Sequence, residues 1–165
     1  MKINKGVEWA AHTCALLALL PAHATLPGDA LAEFLGVPPP YLAKQLQALS
    51  RAGIVSAKRG MAGGYRLSRL PASISLWDIT AAIEGTQSSF RCTEIRRSGP
   101  CGASDKECTG PCAIAAAFYN AEQNYREALS AVRLPAIVQG VAQDASSARK
   151  QRILDWVQQH AAQTA

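Results

Sequence analysis

The sequence predicts a mainly α-helical chain, a winged helix-turn-helix at the front with a long dimerisation helix behind it. Three observations lead there. Residues 6–67 read in order as helix, helix, short turn, helix and two-stranded hairpin. A heptad seam runs from Ile114 to Val132. The 165 residues are 48% hydrophobic and 18% charged, a balance that can bury a core and does not describe a disordered tail.

The first helix is expected from about Gly6 to Leu20, where Pro21 ends it. Val7, Ala10, Ala11, Cys14, Leu17 and Ala18 form one stripe along it. A second helix, about Pro27 to Leu35, starts at a proline and stops at Gly36. Pro38-Pro39-Pro40 leads into a third, about Tyr41 to Ala52, stopped by Gly53. Residues 54–59 read as a strand, Gly60-Met61-Ala62-Gly63-Gly64 as a flexible turn and Tyr65-Arg66-Leu67 as the returning strand. Ser75 caps a fourth helix, about Leu76 to Glu84, and Gly85 stops it. Residues 86–111 are loop-like. A long helix follows from Cys112 to Val132, roughly 30 Å at 1.5 Å per residue. A last helix is expected from Ala145 to Ala162. The organisation is therefore a winged helix-turn-helix domain over 1–85, a cysteine-rich sensor loop over 86–111, a dimerisation helix over 112–134 and a helical extension over 135–165.

Several classes are excluded. The chain is too short for a large enzyme with a separate cofactor domain. No run of apolar residues is long enough for an ordinary spanning helix. Lys2, Lys5, the run Ala15 to Leu20 and Ala22-His23-Ala24 loosely imitate a signal peptide, but Glu8 and His12 interrupt it, and the segment reads as a mature amphipathic helix. Five cysteines, an odd and sparse set, fit a reducing compartment and metal or redox chemistry, so a cytoplasmic protein is expected.

The net charge of +5 is uneven. Residues 1–69 hold eight Lys/Arg against three Asp/Glu, and the remainder is balanced. No acid occurs between Phe34 and Trp77, where Lys44, Arg51, Lys58, Arg59, Arg66 and Arg69 all lie. Clustered cations inside a folded module suit a polyanion, because they release counterions from nucleic acid; a merely solvated basic face is the other reading. The helix order supports double-stranded DNA. The third helix would enter the major groove, with Tyr41, Lys44, Gln45 and Gln47 on its first turns towards base edges. Lys58, Arg59 and Arg66 flank the hairpin tip, and Gly60, Gly63 and Gly64 would let it approach phosphates closely.

Ile114, Phe118, Ala121, Tyr125, Ala128 and Val132 are spaced four, three, four, three and four apart. That seam packs one helix along another. Since helix-turn-helix readers usually span two half-sites, homodimerisation through this helix joins both observations; packing within one subunit is the alternative.

Cys92, Cys101, Cys108 and Cys112 gather in about twenty residues of loop. Thiolates favour zinc or iron–sulfur, yet the spacing is neither a pair of zinc knuckles nor a ferredoxin run. A metal or cluster site, a thiol–disulfide switch and idle cysteines all stay open from spacing. Cys14 belongs to the apolar stripe and is expected in the core. Glu8 and His12, four apart, project from one helix face and could hold a metal or simply form a surface pair.

The frame from Met1 to Gly85, with Tyr41-Leu42 opening the third helix and Arg59-Gly60-Met61-Ala62-Gly63-Gly64-Tyr65 in the wing, resembles the Rrf2 family of bacterial transcription regulators. The likeness runs over roughly residues 1–135. Gly6-Val7-Glu8-Trp9-Ala10-Ala11-His12, Phe90-Arg91-Cys92-Thr93-Glu94-Ile95-Arg96 and Pro111-Cys112-Ala113-Ile114-Ala115 are similar to its redox-sensing, RsrR-type members. That likeness implies a [2Fe–2S] cluster held by Glu8 and His12 of one subunit and Cys92 and Cys112 of the other. Cys101 and Cys108 depart from the two-cysteine pattern and remain secondary candidates. Trp9, beside Glu8, would be a switch residue. The expectation is a dimeric regulator binding promoter DNA, its affinity set by an iron–sulfur cluster, with no substrate turnover, no catalytic residues and no membrane. A metal-free disulfide-switched regulator is the first rival, and a small cluster-using enzyme or carrier the second; no nucleophile–base–oxyanion set supports the latter.

Overall fold

A computed structural model describes residues 3–60 and 63–163. Met1, Lys2, Met61, Ala62, Thr164 and Ala165 lie outside the described residues, so the wing motif is seen without its two middle positions.

The helices are α1 (Lys5–Leu17), α2 (Gly28–Leu35), α3 (Pro39–Arg51), α4 (Leu76–Glu84), α5 (Ala113–Ala131), α6 (Leu134–Gln143) and α7 (Ser147–His160). The strands are β1 (Ala24–Thr25), β2 (Val55–Lys58), β3 (Gly64–Leu67) and β4 (Ala162–Gln163). Mainly helical with a small antiparallel wing, the architecture agrees with the sequence expectation.

Local chemistry explains most boundaries. The Asn4 side chain accepts from the Gly6 amide and starts α1. α1 ends at Leu17, three residues before the expected Leu20, its cap at Ala18. Gly36, with φ +63°, closes α2 by directing its N–H to the carbonyls of Ala32 and Glu33. α3 begins at Pro39, two residues earlier than expected, because proline suits the first helical turn. Leu42, Leu46 and Leu49 face inward along it. β2 pairs antiparallel with β3, Val55 opposite Leu67 and Lys58 opposite Gly64. Leu26 bridges Tyr65 on the other edge of β3 through both backbone hydrogen bonds, at 3.0 and 2.8 Å.

α4 carries a full capping box. The Ser75 hydroxyl accepts from the Asp78 amide, and the Asp78 carboxylate accepts from the Ser75 amide and hydroxyl at 2.8 Å each. Burial alone would raise the Asp78 pKa, but the bonds from Ser75 and the nearby Arg69 and Arg133 lower it below the usual value. A depressed carboxyl stabilises the fold above its unfolded pKa, about 3.9, and loses that contribution as pH falls through the lower folded value. Asp78→Ala should therefore destabilise by about 1 kcal/mol at neutral pH, with the deficit shrinking in acid. Urea midpoints across that range measure it, and a deficit unchanged by acid would contradict the assignment.

The last third departs most from expectation. Within the helical extension expected over 135–165, only one helix, 145–162, is given bounds by the sequence; the structure has two, α6 over Leu134–Gln143 and a final helix that runs Ser147–His160. Within the loop a 3-10 turn forms at Ile95–Arg97. The extension is not an appendage. Leu134 is fully buried and Val157 nearly so, both within the cluster that holds Leu31, Leu46, Ile74 and Ile79. Phe34 of α2 packs on Trp156 of α7 with ring centroids 4.8 Å apart. β4 pairs with β1, and the Leu76 and Leu134 amides donate to the Val132 and Ile74 carbonyls, each at 2.9 Å. Cys14 is buried as expected, and burial pushes its thiol up to about 12, which keeps it protonated and unreactive.

Candidate nucleic-acid interface and sensor loop

The outward face of α3 carries Tyr41, Lys44 and Gln47, all exposed. Gln45 does not share that face. It is half-buried, and a Cβ on Gly6 would sit 2.9 Å from its amide group, so its side chain lies against the start of α1. Lys58, Arg59 and Arg66 stand exposed on the wing. Among the described residues, no carboxylate pairs with Lys44, Arg51, Lys58, Arg59 or Arg66. Arg69 differs from these cations in being half-buried, and its charge helps lower the Asp78 pKa without an ion pair among the described residues.

The wing glycines have an internal reason. A Cβ on Gly63 would lie 2.6 Å from the carbonyl oxygens of Gly60 and Lys58, and one on Gly64 would lie 2.5 Å from that of Leu26. The turn and its seat against the chain before α2 require both glycines whatever the tip touches. Gly60 is exposed at the near side of the tip.

α1 touches α3 directly. Trp9 meets Tyr41 edge-on, with centroids 6.4 Å apart. Glu8 and His12 flank Trp9 on α1 and are exposed.

The loop from 86 to 112 is laid along α5. Glu122 accepts from the Ser88 hydroxyl at 2.5 Å and pairs with Arg126 at 2.6 Å. Arg126 reaches the Thr86 carbonyl at 2.9 Å and stacks over Trp77 at 5.0 Å. Phe90 stacks on Phe118, centroids 4.6 Å apart. These anchors deliver Cys92 towards the start of α5. The Cys92 sulfur accepts from the Glu94 amide at 3.4 Å, and Glu94 holds a left-handed φ of +53°. Arg96 bonds Glu94 at 2.8 Å and the Gly110 carbonyl at 2.6 Å. Cys112 is the N-cap residue of α5. The amides of Ala115 and Ile114 face its sulfur and, with Arg96, lower the thiol pKa. Cys108 also lies within the field of Arg96. Cys101 is exposed and takes no part in these contacts.

Sequence reasoning singled out the cysteines but missed Glu94 and Arg96, the pair that organises them. The charged run Glu94-Ile95-Arg96-Arg97 between two cysteines was the available signal. Equally, the structure does not bring the four implied ligands together in one chain. Among the described residues, no group of three His, Cys, Asp or Glu side chains is arranged to hold a metal. Glu8 and His12 lie exposed on α1, whereas Cys112 caps α5. The donor chemistry nonetheless suits a thiophilic group, because Cys112 is biased towards thiolate.

The heptad seam is largely bare. Ile114 is 65% exposed and Phe118 52%, while Tyr125 packs edge-on against Trp77. No helix among the described residues is long and apolar enough to cross a membrane.

Residues 3–140 match a family model, Rrf2, described as an iron-dependent transcriptional regulator. The chain is 36% identical over 91 residues to YwgB of Bacillus subtilis, named as an HTH-type transcriptional regulator; the match covers 55% of this chain and 58% of that one. Among solved structures, T. potens IscR aligns with a TM-score of 0.65 and 22% identity, over 90% of this chain and 95% of that one. CymR, titled the global cysteine regulator of B. subtilis, aligns with a TM-score of 0.64 and 21% identity, over 84% and 97%. At that identity the two structures establish the fold alone.

Proposed function

Because the chain belongs to the Rrf2 family of transcriptional regulators, we propose that it is a homodimeric operator-binding protein whose DNA affinity follows the state of a [2Fe–2S] cluster. It is a regulator, not an enzyme. The observation that carries the DNA reading is the set of exposed, unpaired cations on the wing beside the open face of α3. Lys58, Arg59 and Arg66 neutralise phosphates, while Tyr41, Lys44 and Gln47 reach into the major groove. Gln45 positions α3 on α1. Replacing Lys58 or Arg59 by Ala should weaken binding to every duplex and lower the salt slope by about one each. Gel shifts across a salt series check this; an unchanged slope places those side chains off the DNA.

Dimerisation is supported by the bare seam of α5, since exposed Ile114 and Phe118 on one helix suit the same face of a second copy. A dimer also answers the ligand problem. Glu8 and His12 of one copy and Cys92 and Cys112 of the other would hold the cluster, which supplies a one-electron change when bound. The thiolate bias of Cys112 and the seating of Cys92 on the Glu94 amide support that pair over exposed Cys101. Trp9 links the Glu8–His12 turn to Tyr41 of α3, so a shift of α1 moves the reading helix. A tenfold change in affinity needs only about 1.4 kcal/mol of coupling.

One observation favours a second reading. Arg96 lies within the field of both Cys108 and Cys112, which suits a thiol pair that forms a disulfide under oxidation without metal. Anaerobically purified protein separates the two. The cluster reading expects iron and visible absorbance bleached by dithionite; colourless, iron-free protein whose DNA affinity responds to dithiothreitol favours the disulfide.

A further inference from the structure

α1 and α2 at one end of the chain and α6 and α7 at the other line a half-open apolar cavity of about 250 Å³. Leu16, Phe34, Val138 and Ile153 form its walls. Of thirteen lining residues only His12 and Lys150 carry polar side chains. Neither is paired with a carboxylate among the described residues, and Lys150 brings a cation to the cavity. Lys150 stands exposed near the first turn of α7, where the helix dipole also favours negative charge.

We propose that this cavity binds a small apolar carboxylate, its body among Leu16, Phe34, Val138 and Ile153 and its carboxylate at Lys150. A greasy cavity of this size holds water poorly, because water needs polar partners that these walls do not offer. Size sets the ligand. A cavity of about 150 Å³ takes benzene, so this one suits about ten non-hydrogen atoms, the size of octanoate. Charge sets the head group. The mouth offers the Lys150 ammonium without a fixed counterion, so an anion is preferred over a neutral or cationic head of equal length. The site is independent of the cluster reading, since the carboxylate is assigned to Lys150 and not to His12. Its far walls, α6 and α7, come from the helical extension, so the extension builds a ligand site together with the winged domain.

Octanoate, octanol and octylamine, titrated into the full-length chain by calorimetry and by amide chemical shifts, test this directly. Saturable octanoate binding is expected, with shifts centred on Ala15, Ala142 and Ala145, and octylamine at least about tenfold weaker, the worth of one charge-assisted contact. Lys150→Glu should reverse the preference between octanoate and octylamine. Being exposed, Lys150 can change without disturbing the core. Val141, on the rim and 42% exposed, gives a second variant: Val141→Trp fills the cavity and should abolish octanoate binding. Absence of saturable binding, equal binding of octanoate and octylamine, or Val141→Trp that changes the oligomeric state and leaves octanoate binding intact would each overturn the assignment.

Discussion

Cys112→Ser should yield a folded, DNA-binding chain that contains no iron and no longer answers to its signal. The fold should survive because Cys112 is the N-cap of α5, and serine is among the best residues for that position, its hydroxyl accepting from the same amides that now face the sulfur. The chemistry should not survive. A serine hydroxyl stays protonated where the Cys112 thiol is biased towards thiolate by the amides of Ala115 and Ile114 and by Arg96, and only thiolate binds a thiophilic metal or forms a disulfide. Cys101→Ser is the matching control, since exposed Cys101 shares none of those contacts. Iron content, visible absorbance and operator affinity, measured anaerobically on all three proteins, give the answer. Full iron in Cys112→Ser would remove that residue from the ligand set. Iron-free wild-type protein would instead direct the test to the disulfide pair.

The second large effect falls far from any reactive group. Leu134→Ala should destabilise the chain by about 2–5 kcal/mol, the range for emptying a fully buried leucine site. The upper half is expected, because the site has little freedom to collapse. The Leu134 backbone is pinned to Ile74, and Arg133 bridges Ser75 beside the α4 capping box. Arg126 and Glu122 tie α5, which leads into Arg133, to the loop after α4. A chain ending before α6 should fail to fold, since it loses Leu134 and Val157 from the core together with the β4 partner of β1. Chemical denaturation of Leu134→Ala measures the cost; a loss under about 1 kcal/mol would mean the extension packs loosely and is separable.

Those two experiments address opposite kinds of information in the chain. The winged module was legible because its signals are local. Ser75 and Gly85 bracket α4 to the residue, as the capping box and the terminating glycine dictate. The wing turn was legible for the same reason, although its glycines turn out to serve the turn and the seat against Leu26 as well as any approach to phosphate. α6 was missed although its signals were present: Pro135 at the second helical position, then Leu134, Ile137, Val138 and Val141 at helical spacing. The end of α5 was legible to within one residue, Val132 against Ala131, but the helix that resumes at Leu134 was not separated from the rest of the extension. Gln45 was assigned to the DNA face by sequence position, while Arg69 was counted only in the basic stretch. The structure lays Gln45 against Gly6, because α3 turns Leu42, Leu46 and Leu49 inward, and it half-buries Arg69, whose charge lowers the Asp78 pKa.

What the sequence determined alone is whatever neighbours in the chain decide: the helix caps, the hairpin, the run of cations without acids, the heptad on α5 and the family motif around the cysteines. Tertiary structure decided what depends on distant residues meeting. It brought Arg96 into the field of Cys108 and Cys112, set Trp9 against Tyr41, buried Leu134 and Val157 of the last two helices in the core and formed a cavity between the two ends of the chain. The physical reason is that capping and periodicity are short-range and repeat from protein to protein, whereas burial and electrostatic fields sum over partners whose spacing along the chain carries no fixed pattern.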